Sequence, residues 1–261
     1  MKSKNTDKPF EVNNENDKLL IYGRNPVLEA LSGGQGIERL LIQKNIEGAG
    51  RKIYALAKKA GVPIRPMERK ELDRATGATS HQGVAAYLTD YEYSTFEDIR
   101  AAADSRGEPL FLVIACGIED PHNLGSIIRS ADGAGVHGVI IPTRHSVSVT
   151  PAVVKASAGA AMHMRVARVP NIAQFVGEIK RENVWVYGLD MDGTDYHEAD
   201  VSGAAALAVG GEGSGLPRLV REKCDFIISL PMRGGVASLN AGSAAAIALY
   251  EMAYRRKKTE A

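Results

Sequence analysis

From Pro109 onward, short apolar runs alternate with helix-like stretches, and this alternation restricts the fold more than any other feature of the sequence. Residues 109–117, 138–142, 164–169, 184–190, 205–212 and 225–231 read as strands. Residues 123–135, 151–159, 172–183, 217–224 and 240–256 read as helices. Short apolar strands alternating with helices are buried on both faces. They predict an α/β fold with a mostly parallel sheet covered by helices on its two sides.

A smaller alternation precedes this one. Strands are expected at residues 39–43, 62–66 and 84–88, and helices at 50–61 and 68–77. A further helix is expected after Tyr22, with Asn25 as its cap, Pro26 at its first position and Gly33-Gly34 as its stop. The resulting division has four parts. Residues 1–17 form a polar, disordered tail, and 18–90 a compact α/β domain. Residues 91–107 form a linker holding one helix near Phe96, and 108–261 a larger α/β domain. The length of 261 residues fits one large domain or two modest ones at ~150 residues each.

Charge and cysteine content exclude several classes. Lys and Arg number 32 against 31 Asp and Glu, a formal net charge of +1, which argues against a uniformly basic nucleic-acid coat protein. Basic residues are nevertheless grouped at Arg51-Lys52, Lys58-Lys59, residues 65–74 and residues 255–258. Cys116 and Cys224 are too few and too far apart for a disulfide framework or a zinc site. The six histidines show no metal-ligand spacing, so no metal is expected, and Trp185 is expected in the core. The longest apolar run, residues 110–118, is far short of the ~20 residues of a membrane span. No apolar segment marks the amino terminus as a secretory signal. A soluble, cytoplasmic protein is expected.

Three segments at expected strand ends carry the chemistry, since ligands of open α/β sheets bind beyond the carboxyl ends of strands. In the first, residues 119–131, Asn123 is expected to cap a helix, with Arg129 nearly two turns on and sharing its face, a pair suited to a ribose phosphate. In the second, residues 209–216, glycines surround Glu212 but match neither the dinucleotide fingerprint nor the phosphate-binding loop. A carboxylate there suits a hydroxyl, an amine or a cation. The third, residues 230–253, places Ser238 and Asn240 at the entrance to a helix rich in small residues. Read by spacing alone, the segments also fit an ordinary helix cap, a flexible turn and tight helix packing, respectively.

Taken together, Asp120-Pro121-His122-Asn123-Leu124-Gly125 with Arg129, Gly211-Glu212-Gly213 with Gly215-Leu216, and Pro231-Met232 with Ser238-Leu239-Asn240 resemble the three motifs of the SpoU (TrmH) family. These are RNA ribose 2′-O-methyltransferases of the SPOUT class that use S-adenosyl-L-methionine. The match spans about 150 residues, in order. Residues 22–31 and 80–86 resemble the ribosomal-protein-like, RNA substrate-binding domain of the branch that modifies guanosines of bacterial 23S rRNA. One departure is Ala241-Gly242, where many relatives carry Val-Ser.

The resemblance implies a trefoil knot near the carboxyl terminus and a homodimer with its site near the subunit interface. It implies that Gly210, Gly211, Leu230, Met232 and Leu239 hold the cofactor, and that Asn123, Arg129, Glu212, Ser238 and Asn240 form the reaction site. The family proposal makes the Arg129 equivalent a general base. A guanidinium that stays protonated is better suited to binding the RNA phosphate and orienting the hydroxyl. A ribose target, marked by the 2′-hydroxyl that DNA lacks, explains why neither metal nor nucleophilic side chain is needed. A tRNA methyltransferase, or a non-catalytic RNA-binding protein of the same fold, is the alternative.

Overall fold

The computed structural model describes residues 20–33, 36–88, 91–213 and 215–259. The tail assigned to residues 1–17, and Gly34 of the first helix stop, lie outside them.

The first sheet is built from β1 (Leu20–Tyr22), β2 (Ile37–Gln43), β3 (Ile64–Met67) and β4 (Val84–Leu88), in the order β1-β4-β2-β3. Strand β4 runs antiparallel to β1 and β2, whereas β2 and β3 are parallel. Helices α1 (Arg24–Ser32), α2 (Ala49–Lys59) and α3 (Arg69–Thr76) connect the strands. Asn25 is not the cap of α1. Gly23 caps it with φ of 101°, and its carbonyl already accepts from Val27 N, so the helix starts at Arg24 and Pro26 is its third residue. A side chain at position 23 would oppose that φ.

The second sheet is wholly parallel, with the order β10-β8-β9-β5-β6-β7. Its strands are β5 (Phe111–Cys116), β6 (Gly138–Pro142), β7 (Val166–Val169), β8 (Trp185–Asp195), β9 (Ala205–Gly210) and β10 (Phe226–Ser229). Its helices are α4 (Phe96–Arg106), α5 (Pro121–Gly133), α6 (Pro151–Ala156), α7 (Ile172–Arg181), α8 (Arg218–Arg221) and α9 (Ala241–Thr259). Strand β5 shows why its sequence is apolar throughout. Phe111, Val113 and Ala115 join the core beneath α5 and α9, while Leu112, Ile114 and Cys116 join the core beneath α4 and α7.

Trp185 departs from expectation. It opens β8 and is 50% exposed, with its ring 5.8 Å from that of Phe226 on the edge strand β10. The segment 91–107 is packed rather than loose. Tyr91 donates to the carbonyl of Ala161 (2.9 Å), and α4 buries Ile99 in the second core. The small sheet also touches the large unit directly: Lys155 Nζ donates to the Tyr22 hydroxyl (2.9 Å), and Val27 and Ala30 share a core with Ala160 and Met162.

Candidate active site

The chain's order along the second sheet sets up the site. Strand β9 lies between β8 and β5, yet the next strand, β10, lies beyond β8 at the edge. Helix α9 then packs on α5, so residues 230–240 run back across the carboxyl ends of β8 and β9. A cavity of about 560 Å³ opens beneath this return segment. Strand β8 contributes Leu189, Asp190 and Met191, the end of β9 and its glycine loop contribute Val209 to Gly213 and Gly215, and the return segment with the ends of β10 and α9 that flank it closes the wall.

Helix α5 stands beside the cavity. Its cap is Asp120 rather than Asn123: the Asp120 carboxylate accepts from His122 N (3.1 Å), and Pro121 occupies the first helical position. Asn123 is therefore a full helical residue, with its side chain 4% exposed. A buried amide needs partners, and two motifs distant in sequence provide them. Asn123 Nδ2 donates to Glu212 Oε1 (2.9 Å), and Asn123 Oδ1 accepts from Asn240 Nδ2 (2.7 Å). Asn240 Oδ1 in turn accepts from Ser243 N in the first turn of α9 (2.7 Å).

The polarity of this chain follows from its end. A backbone N–H can only donate, so Asn240 must offer it oxygen and turn its NH₂ toward Asn123. Asn123 must then accept from Asn240 and donate to a carboxylate, which is Glu212. The approach of α9 to α5 that permits this depends on Gly242, where a Cβ would overlap the Ser126 side chain. The departure at Ala241-Gly242 thus keeps the two helices close.

The structure places the expected site residues in two groups. Asn123, Glu212 and Asn240 are hydrogen-bonded together, and Gly210, Gly211, Glu212, Leu230, Met232, Ser238, Leu239 and Asn240 line the cavity. Arg129 belongs to neither group. Six residues are about 1.7 helical turns, so its side chain leaves α5 roughly 120° away from that of Asn123 and does not share its face. It is exposed and makes no hydrogen bond or ion pair among the described residues. Sequence reasoning missed Asp190 and Met191, which line the cavity at the end of β8. Their position at a strand end was the available signal. Asp190 is held by its own turn, accepting from Met191 N (2.8 Å), and by Arg221 (3.3 Å). Cys116 is buried and its thiol is pushed up by desolvation, so it offers no thiolate. Among the described residues, no group of His, Cys, Asp and Glu could hold a metal ion.

Comparison with known proteins identifies the family. The model of the SpoU rRNA Methylase family matches residues 109–250. The chain belongs to the SpoU (TrmH) methylase family. A second family model, described as RNA 2′-O ribose methyltransferase substrate binding, matches residues 20–94. A Bacillus subtilis protein named as a TrmH family tRNA/rRNA methyltransferase is 44% identical over 240 residues, covering 91% of this chain and 95% of its own. Among solved structures, the SpoU methyltransferase AviRb of Streptomyces viridochromogenes, in complex with AdoMet, superposes with a TM-score of 0.77 at 25% identity, covering 96% of each chain. The AdoMet-bound rRNA methyltransferase of Sinorhizobium meliloti gives 0.75 at 25% identity, covering 91% of this chain and 87% of that one.

This SpoU chain is therefore an RNA ribose methyltransferase that uses S-adenosylmethionine. The cavity residues fit the cofactor. Leu189, Val209, Leu230, Pro231 and Met232 supply apolar surface, and Gly210 leaves no room for a Cβ beside the Gly215 carbonyl, which keeps backbone available to a ligand.

Proposed function

We propose that the chain methylates the ribose 2′-hydroxyl of a guanosine in 23S rRNA. The observation that carries this reading is the Asn123–Glu212–Asn240 chain at the rim of the cavity. When bound, S-adenosylmethionine supplies the methyl group from its sulfonium. Gly210, Gly211, Leu230, Met232 and Leu239, which line the cavity, would hold its adenosyl moiety. Asn123 fixes one oxygen of Glu212, leaving the other free to accept from a hydroxyl. Asn240, anchored on the α9 amide of Ser243, fixes Asn123, and Ser238 stands beside it on the cavity wall. Such preorganisation orients a nucleophile at no further ordering cost. Arg129, exposed and unpartnered, binds the RNA phosphate and orients the ribose.

Ribosomal rather than transfer RNA is favoured by the substrate-binding unit at residues 20–94 and by the rRNA methyltransferase of S. meliloti, whose likeness spans both units. We divide the chain accordingly into an RNA-reading unit over 18–90, a packed connector over 91–107 and a catalytic unit over 108–261. The return of residues 230–240 across β8 and β9 is the connection we assign to a trefoil knot. A homodimer is supported by Ile247, Tyr250 and Tyr254, which expose one apolar stripe of α9 at helical spacing. No helix among the described residues is long and apolar enough to cross a membrane. We place the enzyme in the cytoplasm with its RNA.

Transfer of label from methyl-labelled S-adenosylmethionine to unmodified 23S rRNA, followed by mapping of the modified nucleotide, tests this reading. Label confined to tRNA would overturn the ribosomal assignment.

A further inference from the structure

The substrate-binding unit carries a cleft of its own, about 620 Å³ in volume, where β2 leads into α2. That volume lies in the ~300–1,000 Å³ range of ligand sites. Its floor is apolar, formed by Ile42 and Ile46, and its rim is polar and aromatic. Tyr54 on α2 is 43% exposed, and its ring makes no hydrogen bond, ring contact or cation–π contact among the described residues. Arg51 sits one turn earlier on the same face of α2 and also has no partner. The side-chain amides of Gln43 and Asn45 border the cleft without a hydrogen-bond partner among the described residues. Asn45 takes a left-handed φ of 58° in the turn after β2, a conformation that asparagine tolerates.

We infer that this cleft takes one unstacked base from a single-stranded loop of the RNA substrate. The inference rests on the RNA methyltransferase reading and adds where the substrate is held. An open aromatic ring offers a stacking platform to any base. Two unpaired amides can each donate to and accept from a base edge. A free guanidinium three residues from the ring can reach the adjoining phosphate. Lys44 at the rim is neutralised by Glu68 at 3.0 Å, which leaves Arg51 as the cation that meets the phosphate. A duplex, read mainly by shape and backbone, has no use for a concave aromatic site. The assignment also separates recognition from chemistry, since none of these residues lines the cavity of the catalytic unit.

The test measures the affinity of the full chain for unmodified 23S rRNA and for tRNA, cofactor affinity, and methyl transfer. Tyr54→Ala should weaken binding of the RNA that the wild type prefers by about 5- to 150-fold, as expected for loss of one stacked base. Tyr54→Phe should stay within about twofold, and both variants should bind cofactor as the wild type does. Photo-crosslinking should join RNA to the peptide containing Tyr54. Wild-type RNA affinity in Tyr54→Ala, an equal loss in Tyr54→Phe, or crosslinks confined to other peptides would overturn the inference. A wild type that methylates RNA while Tyr54→Ala binds normally defeats only the cleft. A wild type that crosslinks at Tyr54 but methylates no RNA supports the cleft and defeats the enzymatic reading.

Discussion

The two concave regions of this molecule treat their polar groups in opposite ways. At the catalytic cavity, Asn123, Glu212 and Asn240 satisfy one another, and the chain ends on a helix amide. At the cleft of the small unit, Gln43, Asn45 and Arg51 have no partners within the described residues. The difference turns on Asn123, the one buried member of the chain, since Glu212 and Asn240 are themselves exposed. Asn123 lies within the packed interface of α5, where an unpaired amide would cost about 1–3 kcal/mol, while the cleft residues stay wet until a ligand arrives. One region is ordered in advance of its substrate, and the other leaves its hydrogen bonds for the substrate to make.

The largest expected effect breaks the ordered side of that contrast. Asn123→Ala should lower methyl transfer by about 100-fold, the scale of a small misplacement of reacting groups. It should also destabilise the fold by about 0.5–1.5 kcal/mol per hydrogen bond lost, because Glu212 and Asn240 are exposed and can turn to water in place of Asn123. Thermal melts and single-turnover kinetics report the two losses. Retained activity would mean that the hydrogen-bonded chain is only a packing device.

Arg129→Ala comes next and should separate chemistry from stability. Loss of a charged phosphate contact should reduce transfer by roughly 10- to 100-fold. Stability should change by no more than about 0.5 kcal/mol, because the side chain is exposed and unpartnered. Cofactor affinity, measured by calorimetry, should not change. A marked loss of stability would place Arg129 in the scaffold.

Double-mutant cycles sharpen the contrast further. Asn123→Ala and Asn240→Ala should couple by about 0.5–3 kcal/mol, as members of one network do. Gln43→Ala and Arg51→Ala in the free protein should couple by less than about 0.5 kcal/mol. Strong coupling in the second pair would show that the cleft is also ordered in advance.

The smallest effect concerns the scaffold beneath both regions. His137 is buried, and its Nδ1 accepts from Phe111 N (3.0 Å), so that nitrogen must stay unprotonated. Nε2 then carries the proton and donates to Glu108 (3.0 Å). Desolvation holds its pKa below the ordinary histidine value. Above about 6.5 both folded and unfolded chains carry the neutral ring, and the folded state keeps its full stability. As pH falls below that value the unfolded chain takes up the proton first, and stability declines. Denaturant melts between pH 7.5 and 5.5 should show this decline, reduced in His137→Gln. A decline of equal size in the variant would assign it to other groups.

The sequence made the frame of the molecule legible because burial on both faces leaves no polar alternation in β5, β6 or β9. Its errors were local and had local causes. Asn25 and Asn123 both look like caps, but Gly23 and Asp120 stand before them and start each helix earlier. Arg129 was placed with Asn123 by counting turns, although six residues fall short of two. Trp185 is apolar by composition, yet it opens a strand next to the sheet edge and remains half exposed. Spacing could bring Asn123, Glu212 and Asn240 together only through the family resemblance. The physical reason, the return of α9 onto α5 at Gly242, is a tertiary fact. Asp190, Met191 and Tyr54 carry no motif and became visible only as walls of concave sites.

The central claim is methyl transfer to a ribose 2′-hydroxyl of ribosomal RNA. The most direct measurement incubates the full chain with methyl-labelled S-adenosylmethionine and unmodified 23S rRNA, then identifies the labelled nucleoside by mass spectrometry. The account predicts label in 2′-O-methylguanosine at a single position, abolished in Asn123→Ala. Label on a base, or no label in any RNA under conditions where the cofactor binds, would contradict it.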